Sequence, residues 1–225
     1  MENVLSYRSA VELNSAMAKV YANMSLAVLT SMVVSILVSS SPTLMALLFG
    51  TALKWVVIFA PLAAVFAIGF ALSKNPSRPA ATLMLHGFAA LMGLSFSTIF
   101  VVYNLGSIIS AFMGGAVLFG VAGAYGYFTK QNLDGIGKWL IVGLIGIVIA
   151  SIINIFVGSS VGQMVISALA VIIFTGLTAY DNQQIRQQLA TDRSVAAEIS
   201  GALSLYLNFI NIFLSLLQLF GEKKD

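Results

Sequence analysis

The sequence predicts an all-α polytopic membrane protein, a bundle of seven transmembrane helices. Hydrophobic residues make up 59% of the 225 residues and charged residues 8%, against roughly 25% charged in an average soluble domain. So few charges cannot cover a water-exposed surface. The charges that exist are spaced so that long uncharged stretches lie between them. Those stretches are unbroken apolar runs, not the short alternating segments of a membrane β-barrel.

Uncharged intervals of 34, 19, 51, 42 and 23 residues follow Lys19, Lys54, Arg78, Lys138 and Glu198. A crossing takes roughly 20 apolar residues, so the intervals hold one, one, two, two and one helices. The first is expected at Val20–Leu37, closed by Ser39-Ser40-Ser41-Pro42, because Pro42 biases the residue before it away from helical geometry. Trp55–Leu72 fills the second interval. Tyr103-Asn104-Leu105-Gly106-Ser107 divides the third into Ala80–Tyr103 and Ser107–Phe128. Gly158-Ser159-Ser160-Val161-Gly162 divides the fourth into Trp139–Val157 and Val161–Tyr180, and Gly201–Phe220 is the last span. The expected organisation is a polar cytoplasmic tail over 1–19, a seven-helix domain over 20–221 and a short charged tail over 222–225. The first 19 residues are polar and mixed in charge, and the run after them is long enough to span, so no cleaved signal peptide is expected.

Basic residues in short loops set the orientation. Arg8, Lys19, Lys74, Arg78, Lys130, Lys138, Arg186 and Arg193 fall on the side of the N-terminus, and Lys54, Lys223 and Lys224 on the other. Eight against three places the N-terminus in the cytoplasm and the C-terminus outside. A re-entrant last segment would change the balance to ten against one.

Several function classes are excluded by composition. A net charge of +3 with singly scattered basic residues does not suit phosphate tracking, so no nucleic-acid partner is expected. The absence of cysteine removes disulfides, thiolate metal sites and a cysteine nucleophile. His86 is the only histidine, too few for a hydrolytic metal centre. Gly93-Leu94-Ser95-Phe96 faintly resembles the serine loop of rhomboid-type proteases, but His86 lies nine residues earlier on the same expected helix, about 13 Å along its axis. An intramembrane aspartyl protease needs two carboxylates, and the expected spans offer only Asp181. No catalytic residue and no resident cofactor are therefore expected, and the bland reading of His86 is a packed, hydrogen-bonded helix residue.

The last helix carries a pattern. Ser204, Asn208, Asn211, Ser215 and Gln218 recur at spacings of 4, 3, 4 and 3, which puts them within roughly 80° of one another on a helix. Lipid cannot satisfy side-chain amides, so the stripe must face protein or water. It can be interhelical hydrogen-bond glue or the lining of a hydrated path. Asp181 ends the apolar run before it without a Gly or Pro following. It is either the first residue outside the bilayer or a carboxylate just inside it, with Thr178 one turn earlier on the same face. In the second case it offers the oxygen ligand a hard cation such as Ca²⁺ takes, in transient contact. Gly120, Gly123, Gly126, Gly143 and Gly146 read as close helix-packing positions.

The segment Gly201-Ala202-Leu203-Ser204-Leu205-Tyr206-Leu207-Asn208-Phe209-Ile210-Asn211-Ile212-Phe213-Leu214 resembles the signature of the Bax inhibitor-1 family, also called TMBIM or LifeGuard. Val171–Asp181 is similar to the family's sixth helix, and Ala90–Phe96 and Tyr125–Lys130 fit as well. The resemblance runs from about residue 10 to the end and is to the bacterial, YbhL-like branch. It implies a seven-helix bundle with the last helix at its centre, in a bacterial inner membrane. It also implies a pH-sensitive Ca²⁺ leak through two aspartates that share a proton, coupled to an arginine. Asp181 matches the first aspartate, Asn208 stands where the second would be, and Arg78 is the candidate for the arginine. The basic residue the motif often carries near its end is Gln218 here.

Two carboxylates in contact cannot both ionise easily and so form a pH switch. An Asp–Asn pair lacks that repulsion, and the amide can donate to the ionised carboxylate. The expected function is a passive cation leak with a weakened or shifted pH response, Asn211 adding polar lining. The alternative is a non-conducting regulator that binds a partner such as a membrane-anchored ATP-dependent protease, with the N-terminal tail as its handle.

Overall fold

The computed structural model describes residues 2–224, with side chains from residue 10 onward. The side chains of the first half of the expected tail, Arg8 among them, therefore lie outside the described residues. The chain forms α1 (Glu2–Ser39), α2 (Pro42–Phe49), α3 (Leu53–Leu72), α4 (Arg78–Val102), α5 (Leu105–Phe128), α6 (Asp134–Val157), α7 (Ser160–Thr191) and α8 (Val195–Phe220). Among the described residues there is no β-strand, and seven of the helices are long and apolar enough to cross a membrane.

The seven expected spans are all present, and several are longer than expected. α1 starts at Glu2 rather than Val20, α7 continues eleven residues past Tyr180, and α8 begins six residues before Gly201. The charge that ends an apolar run does not end a helix, since Lys, Gln and Glu are good helix formers. The extra helix α2 was not expected. Ser41 caps it by accepting the Leu44 amide at 3.3 Å, and Pro42 occupies its first turn. Proline thus stops one helix and opens the next, as its fixed φ and missing N–H allow. At eight residues, α2 is too short to cross a bilayer.

The helices gather into two compact units. One takes the chain up to Val102 with Gln187–Tyr206 and Lys224, and the other takes Tyr103–Arg186 and Leu207–Lys223. In the first unit α1 and α4 touch at Gly93, where a Cβ would lie 2.7 Å from the Ser31 carbonyl oxygen. The Ser31 hydroxyl is 2.8 Å from the Ala89 carbonyl and 2.6 Å from the fully buried Tyr206 hydroxyl. A serine has one proton to give, so donation to Ala89 leaves Tyr206 as donor to Ser31. Ser95 donates to the Val57 carbonyl of α3 at 2.7 Å, and His86 Nδ1 meets the Thr30 hydroxyl at 2.9 Å. Both residues weighed for catalysis thus bond between helices.

In the second unit α5 and α8 interlock through aromatic edges. Phe209 meets Phe112 and Phe119 at 5.2 and 5.8 Å, both nearly perpendicular, the arrangement favoured by the ring quadrupole. α6 shows the opposite character. Gly137 is its only buried residue, and Trp139 and Phe156 are 78% and 85% exposed. An apolar helix this exposed presents most of its surface to lipid and keeps only a half-buried strip, Leu140, Gly143 and Ile147 among it, against the protein. Over its best membrane window α8 is 56% buried, more than any other span, and α6 is 6%.

Of the glycines read as packing positions, Gly126 and Gly143 are close contacts, with a Cβ running into the Ala179 carbonyl oxygen and meeting Ile173 Cδ1 at 2.8 Å, while Gly120 and Gly146 face open space. Gly126→Ala is expected to destabilise by about 1–3 kcal/mol through overpacking, and Gly120→Ala to stay within about 0.5 kcal/mol. Thermal unfolding of the two variants in detergent checks this difference.

Candidate functional site

The site is built on the stretch of α7 from Ala179 to Arg186, which is fastened to the corner between α5 and α6. Gly126 lets the α5 backbone approach Ala179, and Gly137 makes room for the Tyr180 ring, which occupies the place a Cβ would take. Gln183, buried, accepts the Leu133 amide at 2.9 Å and donates to the Gln131 carbonyl at 2.8 Å. Gln184 donates to the Asp134 carboxylate. Arg186 donates to the Tyr127 carbonyl at 2.7 Å and lies over its ring, 4.9 Å from the centroid. These polar residues fix the rotation of α7 and so aim Asp181.

Asp181 meets α8 at Asn208. The Asn208 Nδ2 donates to Asp181 Oδ2 at 2.7 Å, a charge-assisted distance. Asn208 is buried at 4% exposure and Asp181 is half-buried. Thr178 does not join them. Its hydroxyl donates to Phe174 O of its own helix at 2.7 Å, and its carbonyl accepts Asn182 Nδ2 at 2.7 Å.

The stripe on α8 meets α7 again ten residues on. The Gln218 Oε1 accepts from Ser167 Oγ and from Gln163 Nε2, both at 2.7 Å. Between the two levels Ser215 is buried, and half-buried Asn211 donates to Leu207 O of its own helix at 2.8 Å. Ser204 is half-buried in the first unit. α7 and α8 therefore run antiparallel along this seam, with residue 208 meeting 181 and the long side chain of 218 reaching 167. Among the described residues no three His, Cys, Asp or Glu side chains converge.

Arg78 is engaged within the first unit. Its Nη1 lies 2.8 Å from Glu198 Oε2, and Lys19 Nζ lies 3.6 Å from Glu198 Oε1. The Glu198 side chain is 3% exposed, against 48% for Arg78 and 52% for Lys19. A buried carboxylate on the first turn of α8 is thus held by cations from the first turn of α4 and from α1. Charge spacing marks Glu198 only as the edge of a span. Its register was the available signal: positions 198, 202, 205, 209 and 212 form one helical face, and all five are buried.

A family model described as "Inhibitor of apoptosis-promoting Bax1" matches residues 13–225. The chain belongs to the Bax inhibitor-1 family. It is 39% identical to inner membrane protein YbhL of Escherichia coli K12 over 219 residues, covering 94% of this chain and 93% of that one. A Borreliella burgdorferi protein is likewise 39% identical over 218 residues, 94% of each chain. A Streptococcus pyogenes membrane protein is 35% identical over 233 residues, 98% of each. With its seven apolar helices, this Bax inhibitor-1 member is an integral membrane protein.

The two ends of the Arg78–Glu198 pair are not equivalent. Arg78→Ala leaves a buried carboxylate with only Lys19, at 3.6 Å, to hold it, whereas Glu198→Gln leaves two half-exposed cations that water can solvate. Breaking a fully buried pair costs about 3–5 kcal/mol, so Arg78→Ala is expected to lose roughly 2–3 kcal/mol and Glu198→Gln about half of that. Denaturant titration in mild detergent gives the order, which an ordinary surface ion pair would not produce.

Proposed function

We propose that this Bax inhibitor-1 family member is a passive cation leak of a bacterial inner membrane, able to pass Ca²⁺. In this reading Asp181 is the ion-facing carboxylate, Asn208 and Asn211 line the path, and the response to pH is weakened or shifted because position 208 is Asn. The N-terminus lies in the cytoplasm, as the basic loop residues favour. The observation that carries the reading is the 2.7 Å hydrogen bond between Asn208 and Asp181 on the polar stripe of the most buried span.

Depth supports it. The rise from Ser167 to Asp181 on α7 is about 21 Å and from Gln218 back to Asn208 on α8 about 15 Å. A hydrocarbon core is about 30 Å thick, so with the Gln218 end at one boundary the pair sits inside the apolar layer. An ionisable side chain kept there is costly and tends to mark an ion or proton pathway. Asp181, with the Asn208 amide beside it, offers a hard carboxylate oxygen of the kind that suits brief contact with Ca²⁺.

A second reading, a regulator that binds a membrane-anchored protease, draws on the helical extension of α1 to Glu2, ahead of Ala16, Met17 and Val20, the first buried residues among the described side chains. Deleting residues 2–9 should abolish capture of such a partner and leave ion flux unchanged.

Ca²⁺ flux into proteoliposomes, measured across pH, tests the leak. Asp181→Asn should lower flux by about tenfold, the scale of one lost charge-assisted bond and its charge. Asn208→Asp should make the pH dependence steeper, because two carboxylates then share a proton. Equal, steep pH dependence in the native protein and in Asn208→Asp would overturn the assignment of position 208.

A further inference from the structure

Four uncharged polar side chains meet at the far end of the α7–α8 seam from Asp181. Both lone pairs of Gln218 Oε1 are taken, by Ser167 Oγ and Gln163 Nε2 at 2.7 Å each. Gln163 Nε2 also lies 3.3 Å from Ser167 Oγ, and Gln163 Oε1 accepts Asn154 Nδ2 at 3.3 Å. The bonds run without a break from α6 through α7 to α8.

The frame around them is tight. α6 ends at Gly158, whose φ of 68° only glycine adopts freely, and α7 begins two residues later. Ser159 caps the new helix by accepting the Gly162 amide at 3.0 Å. A Cβ at Gly162 would lie 2.7 Å from Asn154 Oδ1, so a larger residue there would displace the Asn154 amide. This short turn presses the Asn154 amide against the first turn of α7, beside Gln163.

We propose that Asn154, Gln163, Ser167 and Gln218 form a second closure of the polar seam, in series with the Asp181–Asn208 pair. The inference rests on the leak reading for what the seam carries. Gln218 is exposed, whereas Ser215 and Leu217 just inside it are buried at 7% and 1%. Anything entering the stripe from this end meets the amide cluster first. Helix packing alone does not ask for three amides here, since a leucine packs without needing a partner. Amides that satisfy one another do close the seam to water. Bonds between neutral groups are also individually weak, about 0.5–1.5 kcal/mol net, so such a closure opens and rehydrates more readily than an ionised carboxylate held by an amide.

The chain has no cysteine, so one introduced thiol reports without background. In Ser215→Cys, reconstituted in liposomes, a membrane-impermeant charged thiol reagent is added on the side of the α6–α7 loop. Labelling should be slow, and about tenfold faster when Gln218→Ala or Ser167→Ala is added, the population change expected from one or two lost hydrogen bonds. Ser167→Ala removes a single hydroxyl and stands as the second variant should Gln218→Ala fail to fold. Equal labelling rates with and without the second substitution, or labelling already at the rate of a free surface thiol in Ser215→Cys alone, overturns the closure. Ca²⁺ flux in the same vesicles separates the two readings. Faster labelling with no Ca²⁺ flux in any variant keeps the closure and removes the Ca²⁺ assignment; flux with unchanged labelling does the reverse.

Discussion

Inside a bilayer a polar side chain has no solvent to fall back on, and each must find its partner within the protein. Much of this structure follows from meeting that demand along α8. Its stripe is answered by α7 at two levels, through Asp181 at one and through Ser167 and Gln163 at the other. Its apolar positions are packed against aromatic rings, as with Phe209 against Phe112 and Phe119. Because α8 satisfies itself on protein, it becomes the most buried span, while α6, with little to satisfy, is left to the lipid.

The same demand explains the helix ends. The α7 residues beyond the apolar run are not a loose tail but a row of polar groups docked on the α5–α6 corner. That docking fixes the rotation of α7, and rotation decides whether Asp181 looks at α8 or at lipid. Glu198 has an equivalent role at the start of α8, where Arg78 and Lys19 bring α4 and α1 to it. A 3%-exposed carboxylate is tolerated because both cations keep half their surface in contact with solvent and relieve part of the desolvation cost.

What could be read from the chain and what could not divide along physical lines. The seven spans were legible because a charge cannot sit unpartnered in the core, so charge spacing measures crossings. The breaks at Pro42 and Gly158 were legible because each residue has one dominant backbone consequence. The short helix α2 was not, since the seven mostly apolar residues after Pro42 read equally as loop. Helix lengths were underestimated at α1, α7 and α8 because the count stopped at the first charge, which limits a membrane layer and not a hydrogen-bonded helix. The stripe on α8 was visible from spacing alone, and so was its need for a partner.

Spacing alone did not show the partners; only the family resemblance paired Asn208 with Asp181 in advance, and the partners of Gln218 and Arg78 had no such pointer. Spacing on one helix says which residues share a face, but not which residues of another helix stand opposite. That depends on rotation and register, which for α7 are set by Gly126, Gly137 and Gln183 at contacts over forty residues apart in the chain. The sequence by itself determined that this is a seven-span membrane protein with one polar helix face and an Asn at position 208. Only the tertiary structure decided that Asn208 closes on Asp181, that Gln218 closes on Ser167 and Gln163, and that Arg78 belongs to Glu198. The reason is that burial and pairing are properties of two surfaces, and a single helix carries only one of them.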